Sequence, residues 1–241
     1  MAARIAVSIR KKAVALIVAA GEGRRMGVPQ SKAFIPLEKT PLLALAARPF
    51  EDCDRIDSLY PVLRAQDFAA WDQEVLKRFP LRKAKPPVAG GLTRQDSVRL
   101  GLESIGEGEE GVDVVLIHDG ARPFVDILQV EQLLDTMEEA QGAVLGVPAK
   151  ETIKVVSPEK RVLETPARGS LWHIQTPQAF YFQTILEAHR KASRDGVYAT
   201  DDATLLEHLG VPVVIVQGSY RNIKITTKED LVIARALLED R

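Results

Sequence analysis

Short apolar runs rich in Val, Ile and Leu alternate along this chain with segments of helical period, and this alternation limits the fold more than any other feature. The apolar runs predict strands at residues 14–20, 56–63, 112–117, 143–147 and 213–216. Apolar residues three or four positions apart predict helices at residues 97–105, 128–140, 182–193, 202–209 and 228–238. Because strands that alternate with helices form largely parallel sheets, the sequence predicts an α/β fold.

The sequence predicts a single domain over nearly the whole chain. The length of 241 residues, 46% of them hydrophobic, lies within the usual range for one domain. We expect a basic N-terminal tail over residues 1–12 and one domain over residues 13–241. The basic residues before the apolar run at 13–20 also resemble a secretory signal, but a glycine-rich turn follows at once and favours a strand. That run of eight residues is too short to cross a membrane, which takes about 18.

Charge and cysteine content exclude several classes of partner. With 32 Lys and Arg against 33 Asp and Glu, the net charge is -1, so we expect neither nucleic acid nor a membrane as a partner. An aromatic content of 5% also argues against nucleic-acid binding. The single cysteine, Cys53, can form no internal disulfide, which predicts a cytoplasmic protein.

Residues 148–172 interrupt the alternation of strands and helices. They are mixed in charge, contain prolines at 158 and 166, and include a strand-like piece at residues 152–156. We predict a hairpin or a protruding β-arm, and an arm that cannot bury its own faces is a candidate for packing on a second copy of the chain. A mobile surface loop is the alternative, and the sequence leaves both open.

A glycine-rich turn, AAGEGRRMGVPQSKAF at residues 19–34, directly follows the first predicted strand. Gly21 and Gly23 allow backbone N–H groups to approach an anion closely. The dinucleotide fingerprint is excluded because Met26 stands where its third glycine belongs. The Walker A loop is excluded because Gly27 is followed by valine and proline. The turn therefore predicts phosphate binding of another kind.

This turn contains three cations, Arg24, Arg25 and Lys32, within nine consecutive residues. Cations fixed beside a glycine-rich backbone suit phosphoryl transfer, where charge spreads over phosphate oxygens and catalysis is largely electrostatic. Any one of them alone would be read as a solvated surface charge. Their grouping favours a phosphate site.

A second cluster, HDGARP at residues 118–123, follows the strand predicted at residues 112–117. Ligands of open α/β sheets bind at the carboxyl ends of strands, so Asp119 and Arg122 fall where a site belongs. Asp119 can hold a hydroxyl group or Mg²⁺; the alternative is a turn in which Asp119 bonds to the backbone. His118 has no cysteine or histidine near it, so we assign it a structural role.

Seven motifs in order resemble the 2-C-methyl-D-erythritol 4-phosphate cytidylyltransferase family. They are the Gly-x-Gly-x-Arg-Met turn with its following lysine, GGLTRQDSV, HDGARP, ETIK, RGSLWHIQTPQAF, TDD and NIKIT. The resemblance runs from about residue 14 to the C-terminus. It implies a Rossmann-like nucleotidyltransferase sheet and a homodimer with shared active sites, in which each arm reaches into its partner's site. The implied reaction transfers a cytidylyl group from CTP to 2-C-methyl-D-erythritol 4-phosphate, a polyol phosphate of the non-mevalonate isoprenoid pathway, and releases pyrophosphate.

The resemblance also assigns roles to residues. Arg25 and Lys32 would stabilise the transition state, while Arg168 and Lys224 would position the attacking phosphate. The nucleotide-binding residues that it implies are Ala19, Ala20, Gly21, Gly23, Gly91, Ser97, Asp119 and Gly120, with Arg94 nearby. The substrate-binding residues that it implies are Asp119, Arg122, Thr152, Arg168, Thr176, Thr200 and Lys224, of which Thr152 and Arg168 serve the neighbouring subunit. No protein metal site is implied, and Mg²⁺ would be held mainly by the CTP phosphates.

The chain departs from the family pattern at two positions, and three other functions stay open. Ser31 stands where many relatives have proline, and Leu92 where some have an acid, but neither change removes a charge that the reaction needs. The nearest alternative is a ribitol 5-phosphate cytidylyltransferase. Trp172 and its neighbouring leucine resemble the methylerythritol enzymes instead, and a role of Trp172 as a core residue alone stays equally open. A sugar-1-phosphate nucleotidyltransferase and a catalytically silent nucleotide-binding module are the others. The presence of both Lys32 and Lys224 argues against the silent module.

Overall fold

A computed structural model describes residues 10–21 and 31–239 of the chain. The strands are β1 (Ala13–Val18), β2 (Pro36–Leu37), β3 (Thr40–Pro41), β4 (Ser58–Leu63), β5 (Val88–Ala89), β6 (Val114–Asp119), β7 (Gly142–Pro148), β8 (Val155–Val156), β9 (Val162–Glu164), β10 (Trp172–Tyr181) and β11 (Val214–Gln217). The α-helices are α1 (Leu42–Asp52), α2 (Phe68–Ala70), α3 (Arg94–Gly108), α4 (Ile127–Thr136), α5 (Phe182–Asp195), α6 (Asp202–Glu207) and α7 (Lys228–Glu239). Single turns of 3-10 helix lie at Lys32–Phe34, Ala65–Asp67 and Arg168–Ser170, and a π-helical turn lies at Trp71–Leu76.

Seven strands form one sheet in the order β11-β7-β10-β6-β1-β4-β5. β1 pairs in parallel with β4 and β6, β4 with β5, and β11 with β7. β10 runs antiparallel to both of its neighbours, β6 and β7. The predicted α/β fold with a mostly parallel sheet is therefore confirmed, and the carboxyl ends of β1, β4 and β6 meet at one edge.

Helices cover both faces of this sheet, because its central strands are apolar on both sides. Every residue of β1 is buried, with Ala15 and Ile17 in the core of one face and Val14 and Leu16 in the core of the other. Helices α1 and α4 pack on the first face, and α3, α5 and α6 pack on the second. Burial of each large apolar side chain contributes about 1.5–3 kcal/mol, which makes these two layers the main source of stability.

The five predicted strands appear as β1, β4, β6, β7 and β11, and the five predicted helices as α3 to α7, with shifted ends. Helix α4, expected to end at residue 140, ends at Thr136, and α3, expected at residues 97–105, begins at Arg94. Thr93 accepts a hydrogen bond from the Asp96 N–H, and the Asp96 carboxylate accepts one from the Thr93 N–H. These two reciprocal hydrogen bonds satisfy N–H groups at the start of the helix. They explain why α3 begins earlier than predicted.

Two long elements, β10 and α1, are not predicted by the sequence patterns, and the short elements β2, β3, β5 and α2 are not predicted either. β10 contains Pro177 and the buried polar side chains of Gln175, Thr176 and Gln178, which hide its alternation. These side chains are satisfied by partners far along the chain, for example Asp201, which accepts from the Gln178 amide. Helix α1 has a proline, Pro49, in its interior, a position that normally disfavours helix.

Residues 148–172 contain the antiparallel pair β8–β9, which is separate from the main sheet. Its apolar side chains are exposed, including Val155, Val156, Val162 and Leu163, the last of them 66% accessible. A two-stranded ribbon with exposed apolar faces has no core of its own. The role of this segment as a dimerisation arm stays a prediction.

The last residues of the predicted basic tail are packed on the sheet. Lys11 donates from Nζ to the carbonyl of Met137 and the hydroxyl of Tyr181, and the Lys12 N–H donates to Asp113. Residues 1–9 lie outside the described residues. Within residues 10–21 and 31–239, no helix combines the length and apolar character needed to cross a bilayer.

Candidate functional site

A cavity of about 730 Å³ opens at the edge where β1, β4 and β6 end. This is the location expected for a ligand in an open α/β sheet. Nine of the residues that the resemblance singled out line it. They are Ala19, Ala20, Gly21, Lys32, Gly91, Ser97, Asp119, Gly120 and Lys224. The fold therefore brings together residues from four separate motifs of the sequence.

The backbones around this cavity approach one another more closely than side chains would allow. A Cβ added at Gly90 would lie 2.3 Å from the Cβ of Ala20, and one added at Gly120 would lie 2.9 Å from the Cβ of Ala19. The hydroxyl of Ser97 accepts from the Gly91 N–H at 3.1 Å. Glycine at Gly90 and Gly120 allows this close approach and leaves no side chain there. The N–H groups of these two glycines donate to the carbonyls of Leu63 and Val18 at 2.8 and 2.9 Å.

Asp119, at the end of β6, is the centre of the charges in the cavity. Its Oδ2 lies 2.7 Å from the Lys224 ammonium, its Oδ1 accepts from Arg94 Nε at 2.9 Å, and Arg122 Nε lies 3.8 Å from Oδ2. Burial raises the pKa of Asp119, but the positive charges of Arg94 and Lys224 outweigh burial and hold its pKa well below the usual range. Asp119 is therefore an anion at neutral pH.

His118 and Thr176 fix the backbone of this segment. The Thr176 hydroxyl accepts from the Asp119 N–H at 3.0 Å and lies 3.1 Å from His118 Nδ1, while His118 Nε2 lies 3.0 Å from the Arg122 carbonyl. Burial lowers the pKa of His118 to about 4, so the ring is neutral at pH 7. A ring that donates from Nε2 and accepts at Nδ1 satisfies both contacts, which agrees with the structural role predicted for it.

Asn222 is fully buried and holds β10 next to the cavity. Its amide donates to the carbonyl of Thr176 at 2.9 Å and to Gln175 Oε1 at 3.3 Å, and its main-chain carbonyl accepts from Arg122 at 2.8 Å. Asn222 thus supports the segment that carries Lys224. Arg122 is mostly buried beside this support rather than on the cavity wall.

The remaining predicted residues are outside the cavity wall. Thr152, Arg168 and Thr200 are exposed, and Arg168 donates to the carbonyl of Lys150 at 3.2 Å. Gly23 and Arg25, together with the rest of residues 22–30, lie outside the described residues. The roles assigned to these five residues stay predictions.

Arg64 lines the cavity although the sequence patterns did not single it out. It directly follows β4, and its guanidinium donates to both carboxylate oxygens of Asp67, from Nε at 2.7 Å and from a terminal nitrogen at 3.0 Å. Its place after a buried strand is the signal that would have indicated it, because strand ends at this edge supply site residues. Thr226, near Lys224, lines the cavity as well.

Comparison with known proteins identifies the family. The profile described as 2-C-methyl-D-erythritol 4-phosphate cytidylyltransferase matches residues 13–240. The chain belongs to this family. Proteins of that name from Syntrophotalea carbinolica and Halalkalibacterium halodurans are similar to it, with 44% identity over 224 residues and 45% over 226. The aligned parts cover 93% of this chain and 95% of the first relative, and 94% and 96% for the second.

Solved structures lead to the same family. The crystal structure of 4-diphosphocytidyl-2C-methyl-D-erythritol synthase from Anaerococcus prevotii superposes with a TM-score of 0.84 and 30% identity, covering 95% of this chain and 96% of that one. The crystal structure of the cytidylyltransferase from Thermus thermophilus has a TM-score of 0.75 and 32% identity, covering 95% and 99%.

Membership of this cytidylyltransferase family settles the class of the protein. The chain is a nucleotidyltransferase, and the predicted reaction, CTP-dependent cytidylyl transfer to 2-C-methyl-D-erythritol 4-phosphate in isoprenoid biosynthesis, is confirmed. The ribitol 5-phosphate alternative is not favoured by these relatives. Nucleotidyltransferases generally use a divalent cation.

Proposed function

We propose that CTP binds across the glycine-lined half of the cavity and that the acceptor phosphate binds beside Lys224. One observation supports this most: Lys32 and Lys224 line a single cavity together with the backbone turns at Gly21, Gly91 and Gly120. The glycines suit a nucleotide, because a backbone without a Cβ allows a ligand to approach closely. The two lysines lessen the repulsion between two anions that must meet for the reaction to occur.

The reaction needs no side chain that acts as a general base. The acceptor phosphomonoester is mostly dianionic near pH 7, because its second pKa is about 6. One of its oxygens forms a bond to the α-phosphorus of CTP, while the bond from that phosphorus to the bridging oxygen breaks and pyrophosphate leaves with the electron pair. Lys32, together with Arg25, would offset the charge that builds on the phosphate oxygens. Lys224 and Arg168 would hold the acceptor in line for attack.

The cavity suits Mg²⁺ held mainly by phosphates. Among the described residues that line it, Asp119 alone carries a carboxylate. No group of three or more His, Cys, Asp or Glu side chains placed for a metal occurs within residues 10–21 and 31–239. Mg²⁺ commonly binds through one or two carboxylates and substrate phosphates, so Asp119 is its candidate protein ligand. When bound, the ion would neutralise charge on the triphosphate.

A homodimer with shared sites is the proposed assembly. None of the described cavity-lining residues belongs to residues 148–172, although Thr152 and Arg168 are expected to contact the acceptor. The exposed valines of β8 and β9 form an apolar surface of the kind that marks an interaction site. Both observations are explained if the arm of each subunit packs on the other subunit and reaches that subunit's cavity.

The cellular location is proposed from the cysteine content. Cys53 is buried and forms no disulfide. A lone reduced thiol is typical of a reducing compartment, so we place the enzyme in the cytoplasm.

The substrate assignment is tested by measuring pyrophosphate release. The purified chain is incubated with Mg²⁺, one nucleoside triphosphate and one acceptor, using CTP, UTP and ATP against 2-C-methyl-D-erythritol 4-phosphate and ribitol 5-phosphate. We expect release only from CTP with 2-C-methyl-D-erythritol 4-phosphate, and none when the acceptor is left out. Equal or faster release with ribitol 5-phosphate would contradict the assignment.

A further inference from the structure

Arg94, the first residue of α3, bridges two carboxylates from different parts of the fold. Its Nε donates to Oδ1 of Asp119 at 2.9 Å, and a terminal nitrogen lies 2.9 Å from Oδ2 of Asp202, the first residue of α6. The Asp202 side chain is only 2% exposed, and His189 on α5 lies 3.2 Å from its other oxygen. Arg94 thus connects Asp119 in the cavity to the buried carboxylate of Asp202.

The position of Arg94 in its helix is unfavourable for helix stability. A cation in the first turn opposes the helix dipole, which favours anions there. A residue that breaks a local rule is expected where function requires it. The next residue, Gln95, donates to the carbonyl of Val197 at 2.9 Å and accepts from the Ala199 N–H at 3.0 Å. The start of α3 therefore also holds the segment that leads to Thr200.

The two oxygens of Asp119 serve different cations. Oδ1 is bonded to Arg94, and Oδ2 is 2.7 Å from Lys224. An acceptor phosphate would compete with Asp119 for the ammonium of Lys224, whose side chain is 40% exposed. If Lys224 were the main partner of this buried carboxylate, its departure would leave a buried charge unpaired, which is costly. Arg94 removes that cost because its bond to Oδ1 does not depend on Lys224.

We propose that Arg94 is a positioning residue, which keeps Asp119 paired and oriented so that Lys224 can transfer from Asp119 to the acceptor phosphate. This rests on the proposed function of Lys224. Arg94 acts through Asp119. Its contact with Asp202 fixes the orientation of the guanidinium relative to the cavity.

The charges around Asp119 are consistent with this role. The groups that face it are Arg94 from α3, Lys224 from the segment before α7, and Arg122 from the turn after β6. Arg122 is the most distant of them and donates elsewhere, to the Asn222 carbonyl. Burial lowers the pKa of Arg94, but Asp202 and Asp119 outweigh it and raise that pKa, so Arg94 stays charged.

Steady-state kinetics of Arg94→Met and Arg94→Lys test the proposal. Lysine keeps the charge but lacks the planar fork that spans two carboxylates. With CTP and 2-C-methyl-D-erythritol 4-phosphate, we expect kcat/KM for the acceptor to fall about 10-fold in Arg94→Lys and about 100-fold in Arg94→Met, because a misplaced group costs rates of this order. KM for CTP should change less than KM for the acceptor. Arg99→Met on the same helix, which removes an ion pair with Glu103, should behave like the parent.

A double variant separates positioning from a structural role. In an Asp119→Asn background, Arg94→Met should have little additional effect, because the residue acts through the charge of Asp119. Additive effects in the double variant, or a parent-like acceptor kcat/KM in Arg94→Lys, would overturn the proposal. If Arg94→Met does not fold, Arg94→Lys decides. A parent enzyme without cytidylyl transfer would instead contradict the proposed function.

Discussion

Lys224 and Asp119 are in direct contact, with the ammonium nitrogen 2.7 Å from a carboxylate oxygen. The carboxylate is almost fully buried, whereas the Lys224 side chain is 40% exposed to the cavity. The lysine is therefore both fixed by an ion pair and accessible to a ligand. This combination suits a residue that must present a positive charge to an incoming phosphate at a defined place.

Replacing Lys224 with methionine should mainly weaken use of the acceptor. We expect kcat/KM for 2-C-methyl-D-erythritol 4-phosphate to fall about 100-fold or more, because one well-placed charge that stabilises the transition state contributes this much. Initial rates at varied acceptor and saturating CTP measure the effect. Lys228→Met, at the exposed start of α7, is the matched control. Similar losses in both variants would count against a specific role for Lys224.

Replacing Lys32 or Arg25 with a neutral residue should lower kcat more than it raises KM. Charges that act on the transition state lower kcat when removed, with smaller changes in KM. We expect Lys32→Gln and Arg25→Gln each to lower kcat by about 100-fold to 1,000-fold. Lys39→Gln, an exposed lysine in the turn between β2 and β3, is the control. Near-normal turnover in either active-site variant would refute its assignment.

Shared active sites predict complementation between two inactive variants. Arg25→Gln damages the site of its own subunit, and Arg168→Gln damages the site of its partner. In a mixed dimer, one site contains both changes and the other contains neither. After the two variants are unfolded together and refolded at equal amounts, activity should return to about a quarter of the parent value, since half the dimers are mixed. Each variant refolded alone provides the baseline, and a mixture no more active than that baseline would argue for unshared sites.

The sequence predicts most of the sheet because its strands are buried on both faces. A continuous apolar run such as that around Leu16 needs no long-range information to be read as a strand. β10 is not recognised from its sequence, because its buried polar side chains depend on hydrogen-bond partners elsewhere in the chain. Gln178, for instance, donates to Asp201 and accepts from the Ala203 N–H. Such pairing is a property of the folded structure and leaves no local pattern.

The candidate site likewise contains some residues that the sequence predicts and others that it does not. Motifs that carry glycine or charge at strand ends, such as those containing Gly91 and Asp119, can be placed from sequence because parallel strands share one edge. The bridge from Arg94 to Asp202 depends on the start of α3 lying near the start of α6, which no spacing predicts. Arg64 was missed for a related reason, since a single arginine after a strand resembles a surface charge until the cavity is known.

Gly90→Ala should disturb the cavity without adding or removing charge. The new Cβ would lie 2.3 Å from the Cβ of Ala20 and 2.9 Å from the hydroxyl of Ser97, so the ends of β1 and α3 must move apart. We expect a loss of about 1–3 kcal/mol in the free energy of unfolding, as for other overpacked sites, and a higher KM for CTP. Gly106→Ala is the control, because its nearest neighbour would be 3.6 Å away and alanine favours helix. Urea titration and CTP kinetics measure the two effects, and a parent-like Gly90→Ala would show that this close approach is unimportant.

His118 should make the enzyme less stable in acid. Burial lowers its pKa in the folded state to about 4, whereas the unfolded chain has an ordinary histidine pKa of about 6.5. Between these values the unfolded state binds the proton and the folded state does not, so the free energy of unfolding falls as pH falls from about 6.5 to 4, by roughly 3 kcal/mol in total. Urea titrations of the parent and of His118→Gln across this range measure the effect. The variant loses hydrogen bonds and should be less stable at pH 7, but its stability should decline less steeply toward pH 4. Other groups titrate in both proteins and cancel in the difference, so parallel pH dependences would mean that His118 is not held neutral by its burial.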